Sequence, residues 1–235
     1  MRNPIIVALD VPTAEAALTL AERLAPVVGA FKVGSELFTS AGPDIVRRLR
    51  ATGAAVFLDL KFHDIPNTVA KAVAAATRLD VQMLTIHTGG GREMMQSAEA
   101  AAQQTALQSG RNAPLVLGVT VLTSMDSNTL TEIGCEAHVG KQVERLAKLA
   151  VQAGLRGLVC SPLEIAALRP LLPEKMQLVT PGIRTGTDKP DDQRRTLTPK
   201  EALQAGASWL VIGRPIYAAA DPRAAAAEEI LAGLS

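Results

Sequence analysis

Residues 54–68 read Ala54-Ala55-Val56-Phe57-Leu58-Asp59-Leu60-Lys61-Phe62-His63-Asp64-Ile65-Pro66-Asn67-Thr68. The stretch begins as an apolar strand over Ala54–Leu60, carries a carboxylate near its end and a lysine two residues on, and then opens a helix at Asn67. Residues two apart on a strand share a face, so Asp59 and Lys61 are expected on one side and Leu58 and Leu60 on the other, in a hydrophobic layer. Asp64 lies past the strand end, where Pro66 and Asn67 start a helix through Val69, Val73 and Ala76. An isolated Asp-x-Lys commonly marks a surface ion pair. The apolar run feeding Asp59 argues against that here, because ionised groups at a buried strand end lose solvation that function usually explains.

Outward from this stretch the same unit repeats. Short β-rich runs, Ile5–Leu9, Ala30–Val33, Ala54–Leu60, Gln82–His87, Leu115–Thr120, Gly157–Cys160, Leu178–Thr180 and Trp209–Ile212, alternate with helical patterns. The expected helices follow Thr13 (to Leu24) and span Pro43–Arg50, Asn67–Arg78, the run after Gly89-Gly90-Gly91, Gly140–Gln152, Pro162–Leu168, Pro199–Gln204 and Asp221–Leu234. Eight β–α units of about 29 residues, with no linker and no low-complexity segment, predict a closed (β/α)₈ TIM barrel over residues 1–235 as one catalytic domain. A doubly wound sheet usually has fewer strands, and no Gly-x-Gly-x-x-Gly follows the first one.

Composition narrows the partners. A net charge of +1 without a basic run favours neither nucleic acid nor an anionic membrane. The Ile5–Leu9 run is too short for a signal peptide's apolar core, and the Ala-rich helix after Asn67 carries Lys71 and Arg78. Two cysteines, Cys135 and Cys160, form no metal-spaced motif and suit a reducing compartment. A soluble, cytoplasmic protein is expected.

In such barrels the chemistry gathers at the C-terminal strand ends. Asp10, Lys32, Asp59 with Lys61, His87, Thr120 with Thr123, Arg184 and Arg214 would then converge on one mouth, every strand but the sixth contributing. Gly213-Arg214-Pro215 opens a short helix after the last strand, with bare backbone and a charged fork that suit a phosphate. The polar loop between Arg184 and Arg195 is expected to close over it as a lid, with Gln193 able to reach the phosphate and a polar ring. Thr123 and Ser124 suit hydrogen bonding to a planar heterocycle, although short hydroxyls in loops also cap locally. His63 and His138 are read as structural, and His87 is equally compatible with a structural place and with a ligand or acid. Counting carboxylates does not exclude a divalent ion between Asp10 and Asp59.

Together these residues resemble the orotidine 5′-phosphate decarboxylases, the family that forms UMP. The resemblance covers the whole chain. Its most specific piece is Asp59-x-Lys61-x-x-Asp64 followed by Ile65-Pro66-Asn67-Thr68, and Val119–Met125, Pro181–Arg184, Asp192–Arg195 and Ile212–Pro215 also match segments typical of the bacterial enzymes. It implies decarboxylation of orotidine 5′-monophosphate to UMP with no metal and no organic cofactor, by a homodimer whose subunits share each site. Lys32, Asp59, Lys61 and the partner subunit's Asp64 would form an alternating charge network. Asp10, Lys32 and the partner's Asp64 and Thr68 would bind the ribose hydroxyls. Ser124 and Gln193 would contact the pyrimidine, Thr123 would line the site, and Arg184, Gln193, Gly213 and Arg214 would hold the phosphate. Lys61 would stabilise and protonate the C6 carbanion while Asp59 opposes the substrate carboxylate. 3-Keto-gulonate-6-phosphate decarboxylase and hexulose-6-phosphate synthase share the Asp-x-Lys-x-x-Asp strand end but use magnesium and sugar phosphates; Ile65–Thr68 and Thr123-Ser124-Met125 argue against them. A catalytically silent nucleotide-phosphate binder would have no need of both Asp59 and Lys61.

Overall fold

Each strand carries two apolar rows, and closing the sheet on itself buries both. In β1 (Ile5–Ala8), Ile6 and Ala8 pack in the lumen with Phe57, Met83, Leu117, Val179 and Trp209 from across the barrel. Ile5 and Val7 point the opposite way, into the larger core beneath the helices. The computed structural model describes residues 3–184 and 196–226. Among these, β1 is followed by β2 (Ala30–Gly34), β3 (Val56–Phe62), β4 (Met83–His87), β5 (Leu115–Val119), β6 (Gly157–Val159), β7 (Gln177–Thr180) and β8 (Trp209–Ile212). Neighbours pair in parallel in sequence order, and β8 closes on β1 through Ile5↔Leu210, Ile6↔Val211 and Val7↔Ile212. The expected (β/α)₈ barrel is the observed fold.

The helices on the outside are α1 (Ala14–Leu24), α2 (Ser35–Ala41), α3 (Asp44–Ala51), α4 (Pro66–Arg78), α5 (Gly91–Gln108), α6 (Ser127–Glu132), α7 (Val139–Gln152), α8 (Ile165–Leu168), α9 (Pro199–Gln204), α10 (Arg214–Tyr217) and α11 (Pro222–Ala224). Local chemistry starts several of them. Thr13 Oγ1 accepts the Ala16 N–H, and Thr198 with Glu201 forms a capping box on α9. His138 accepts the Lys141 N–H through Nδ1 at the start of α7, which gives that histidine the structural place expected of it. None of the described helices is long and apolar enough to cross a membrane.

The sequence reading and the structure differ in three helices and one strand. Helices α2 and α6 were not anticipated, and the helix expected over Pro162–Leu168 splits into a 3₁₀ turn at Pro162–Glu164, α8, and a second 3₁₀ turn at Arg169–Leu171. Pro170 has no N–H to give to a continuing α turn, which accounts for that second break. The third strand runs two residues later than expected, to Phe62, because it rejoins β4 beyond an irregularity. The helix expected over Asp221–Leu234 begins as α11 under an Asp221 cap, and its residues from 227 on lie outside the described residues.

Candidate active site

The lumen row of each strand continues past its apolar part into charge. Ala30 faces the lumen on β2, so Lys32 does too; Phe57 does on β3, so Asp59 follows it; Ala8 does on β1, so Asp10 emerges beside them. A linear chain of ion pairs results. Lys32 Nζ donates to Asp10 Oδ1 at 2.8 Å and stands 4.0 Å from Asp59 Oδ2. Lys61 Nζ donates to both oxygens of Asp59 at 2.9 Å. Signs alternate along Asp10, Lys32, Asp59 and Lys61. The Asp59 side chain is only 14% exposed and that of Lys32 only 11%, so these charges interact through a medium less screening than water. Gly34 keeps the crossing open, since a Cβ there would lie 2.9 Å from Lys32 Nζ and 3.3 Å from Asp10 Oδ1.

The pairing of β3 with β4 shows how two charges come to face the mouth from one strand end. Leu58 is opposite Leu84, and the next register pair is Phe62 with Ile86. Three residues, Asp59 to Lys61, therefore bulge out opposite Thr85 alone. Lys61 takes φ +51°, a left-handed conformation that costs a non-glycine residue roughly 1–3 kcal/mol and clusters at functional sites. Asp59 and Lys61 share a side as expected, and Leu60 packs against the outer core.

These groups line a cavity of about 270 Å³ at the C-terminal end of the barrel. Asp10, Lys32, Asp59, Lys61, Thr123, Arg184, Gly213 and Arg214 reach it, whereas His87 and Thr120, also expected at the mouth, do not line it. A side chain at Gly213 would approach Ala8 Cβ and Asp10 Oδ2, so the glycine leaves bare backbone facing the mouth. The Arg184 backbone N–H donates to Leu197 O at 3.1 Å, joining the described residues on either side of 185–195. Ser124, Asp64 and Thr68 are exposed and do not line this cavity. Gln193 and the remainder of the expected lid lie outside the described residues.

Several lining residues carried no signal in the sequence reading. Phe57, Val119, Val159 and Val211 make an apolar floor beneath the charges, and Tyr217 of α10 stands at the rim. The sixth strand, expected to contribute nothing, contributes Cys160. Burial, reinforced by nearby Glu164, pushes that thiol up to about 12, so Cys160 is a neutral wall residue and not a nucleophile. Thr85, whose hydroxyl touches both Asp59 and the Lys61 backbone, was also missed. Its position in the lumen row between Met83 and His87 could have revealed it.

His87 faces His63 with ring centroids 5.4 Å apart. Burial, then His63 and Lys61, lower its pKa from the ordinary 6.5, against a smaller raising effect of Asp59. A histidine so depressed binds its proton less readily in the folded than in the unfolded chain. It therefore subtracts stability as pH falls from about 6.5 through its folded value. We expect His87→Gln to flatten the loss of stability between about pH 7.5 and about pH 5.5, read as urea midpoints at the two pH values. An unchanged slope would mean that other groups carry the acid sensitivity.

The alternating row of carboxylates and lysines and the glycine–arginine turn after β8 lie together at the C-terminal end of the strands, where barrel enzymes carry their active sites. Comparison with known proteins narrows the class. Residues 3–229 match the model of the orotidine 5′-phosphate decarboxylase / HUMPS family, and the chain belongs to that family. It is 54% identical to the orotidine 5′-phosphate decarboxylase of Opitutus terrae over 100% of this chain and 99% of that one. With the enzyme of the same name from Moorella thermoacetica it shares 53% identity, over 96% of this chain and 90% of the other. The crystal structure of orotidine 5′-phosphate decarboxylase from Lactobacillus acidophilus superposes with a TM-score of 0.88 at 38% identity, covering 99% of both chains.

Proposed function

We propose that this chain is a carboxy-lyase that converts orotidine 5′-monophosphate to UMP and CO₂, the last step of pyrimidine nucleotide synthesis, with the whole chain acting as one catalytic barrel. The observation that carries the reading is the ion-pair row ending in Asp59 and Lys61, set into the cavity wall. The relatives' names support the same reaction.

In this reading the substrate carboxylate enters beside Asp59 and meets a like charge, while C6 of the ring lies next to the Lys61 ammonium. The C6–carboxylate bond breaks with its electron pair staying on C6, and CO₂ departs over the apolar floor. The carbanion is stabilised by the adjacent cation and takes a proton from Lys61 Nζ, giving UMP; the lysine regains its proton from solvent. Asp10 and Asp59 each already hold a lysine ammonium, and on this reading the step runs with neither a metal nor an organic cofactor. Asp10 and Lys32 hold the ribose hydroxyls. Arg184, Gln193, Gly213 and Arg214 hold the phosphate, whose binding energy positions a ring too small to be gripped alone. Ser124 and Gln193 contact the pyrimidine, with Thr123 on the wall.

The site is completed by a second copy of the chain. Asp64 accepts the neighbouring Ile65 N–H and is exposed, as is Ile65 beside it, so both are open to a partner. Asp64 and Thr68 of the partner subunit would then reach the ribose and the open end of the Lys61 row in a cytoplasmic homodimer. The test follows the loss of orotidine 5′-monophosphate absorbance with EDTA present. Rapid conversion to UMP supports the reading. Turnover only once magnesium is restored would overturn the metal independence, whereas a substrate left untouched with or without magnesium would point to the sugar-phosphate branch, and the pyrimidine contacts of Ser124 and Gln193 would fall with the reading.

A further inference from the structure

We propose that Thr85 is a positioning residue for the reaction: one hydroxyl fixes both the Asp59 carboxylate and the backbone that carries Lys61. Thr85 lies in β4 with no solvent exposure. Its Oγ1 accepts the Lys61 N–H at 2.9 Å and donates to Asp59 Oδ1 at 3.0 Å. Those directions are forced, because an amide N–H only donates and an ionised carboxylate only accepts, so the hydroxyl has a single orientation that satisfies both.

The bulge explains why such a device is needed. Where β3 loses register with β4, the Lys61 amide has no ladder carbonyl opposite it, and the residue sits in a left-handed conformation that a lysine does not favour. The Thr85 hydroxyl stands in for the missing ladder partner. The Asp59 carboxylate would otherwise rotate about a soft terminal torsion. With Thr85 and Lys61 on Oδ1, and Lys61 on Oδ2 with Lys32 4.0 Å away, its plane is set from three sides. Decarboxylation as proposed above requires Asp59 at the departing carboxylate and Lys61 at C6 in the same instant, a geometry that tolerates errors of about half an ångström.

The kinetic part of the test rests on that proposed reaction; an exchange measurement on the ligand-free protein does not. Thr85→Val keeps the shape and removes the hydroxyl, and Thr85→Ser keeps the hydroxyl. Thr85→Val is expected to lower kcat about 100-fold, the usual cost of a misplacement near 1 Å, with KM changed less than about threefold. Thr85→Ser should stay within about fivefold of wild type. In NMR exchange, the Lys61 amide should lose protection in Thr85→Val and keep it in Thr85→Ser. The Leu9 amide, held by Lys32 O, should be unaffected in both. If Thr85→Val does not fold, Thr85→Ser against Thr85→Ala makes the same comparison at smaller volume. A Thr85→Val enzyme with wild-type kcat, a serine variant as slow as the valine one, or an unchanged Lys61 exchange rate would each overturn the proposal. Wild type that leaves orotidine 5′-monophosphate untouched would instead overturn the proposed reaction, and the exchange result alone would then decide for or against Thr85.

Discussion

Lys61→Ala is expected to lower kcat for orotidine 5′-monophosphate by about 10⁵-fold while weakening UMP binding by less than about tenfold. Two separable contributions make up the loss. Donating a proton to the reacting carbon is worth about 10² to 10⁴, and one preorganised cation at a developing charge about 10² to 10³. Together they correspond to roughly 7 kcal/mol of barrier. The ground state suffers less because Lys61 Nζ is bonded to Asp59 in the ligand-free protein, so its charge is already spent locally and is not reserved for the phosphate or ribose. Lys61→Arg divides the two contributions: a guanidinium keeps the charge but gives up no proton near neutrality. Its residual rate over alanine measures electrostatic stabilisation alone. An alanine variant within about tenfold of wild type would remove Lys61 from the chemistry.

Much of that site could be read from the chain because a barrel strand has a strict two-residue period. Once Ala8, Ala30 and Phe57 are assigned to the lumen, Asp10, Lys32 and Asp59 must follow, and their convergence is geometry and not coincidence. The period fails where the ladder does. Nothing in Asp59-Leu60-Lys61 announces that three residues will bulge opposite Thr85, because the irregularity is a property of two strands and the reading considered one. For the same reason Thr85 looked like an ordinary β-branched strand residue. Helix α2 has seven residues and α6 six, too few turns for apolar periodicity to rise above its neighbours. The Asp126 cap of α6, which accepts the Thr129 N–H, was the available signal. Cys160 shows the opposite failure, where counting charged groups overlooked an uncharged wall. Asp64 and Thr68 were legible only as motif letters, since their work, on the proposed reading, lies in another copy of the chain.

The proposed division between copies gives the second large effect. Asp64→Ala should lower activity by about 10²-fold or more, since it would remove a carboxylate from the end of the row beside Lys61. Lys61→Ala alone is nearly dead. Mixed under conditions that let subunits exchange, the two inactive variants should regain activity. Random pairing makes about half of the dimers hybrid, and each hybrid has one site built from an intact Lys61 and an intact partner Asp64. Activity should therefore rise to about a quarter of that of the same amount of wild type. The opposite arrangement predicts nothing of the kind. If Asp64 served the site of its own subunit, every site in the mixture would carry one lesion, and mixing would restore no activity at any ratio. In the ligand-free chain Lys61, at 34% side-chain exposure, is the open end of the row, and Asp64, accepting the Ile65 N–H outside the cavity wall, is exposed to a partner as the shared arrangement requires.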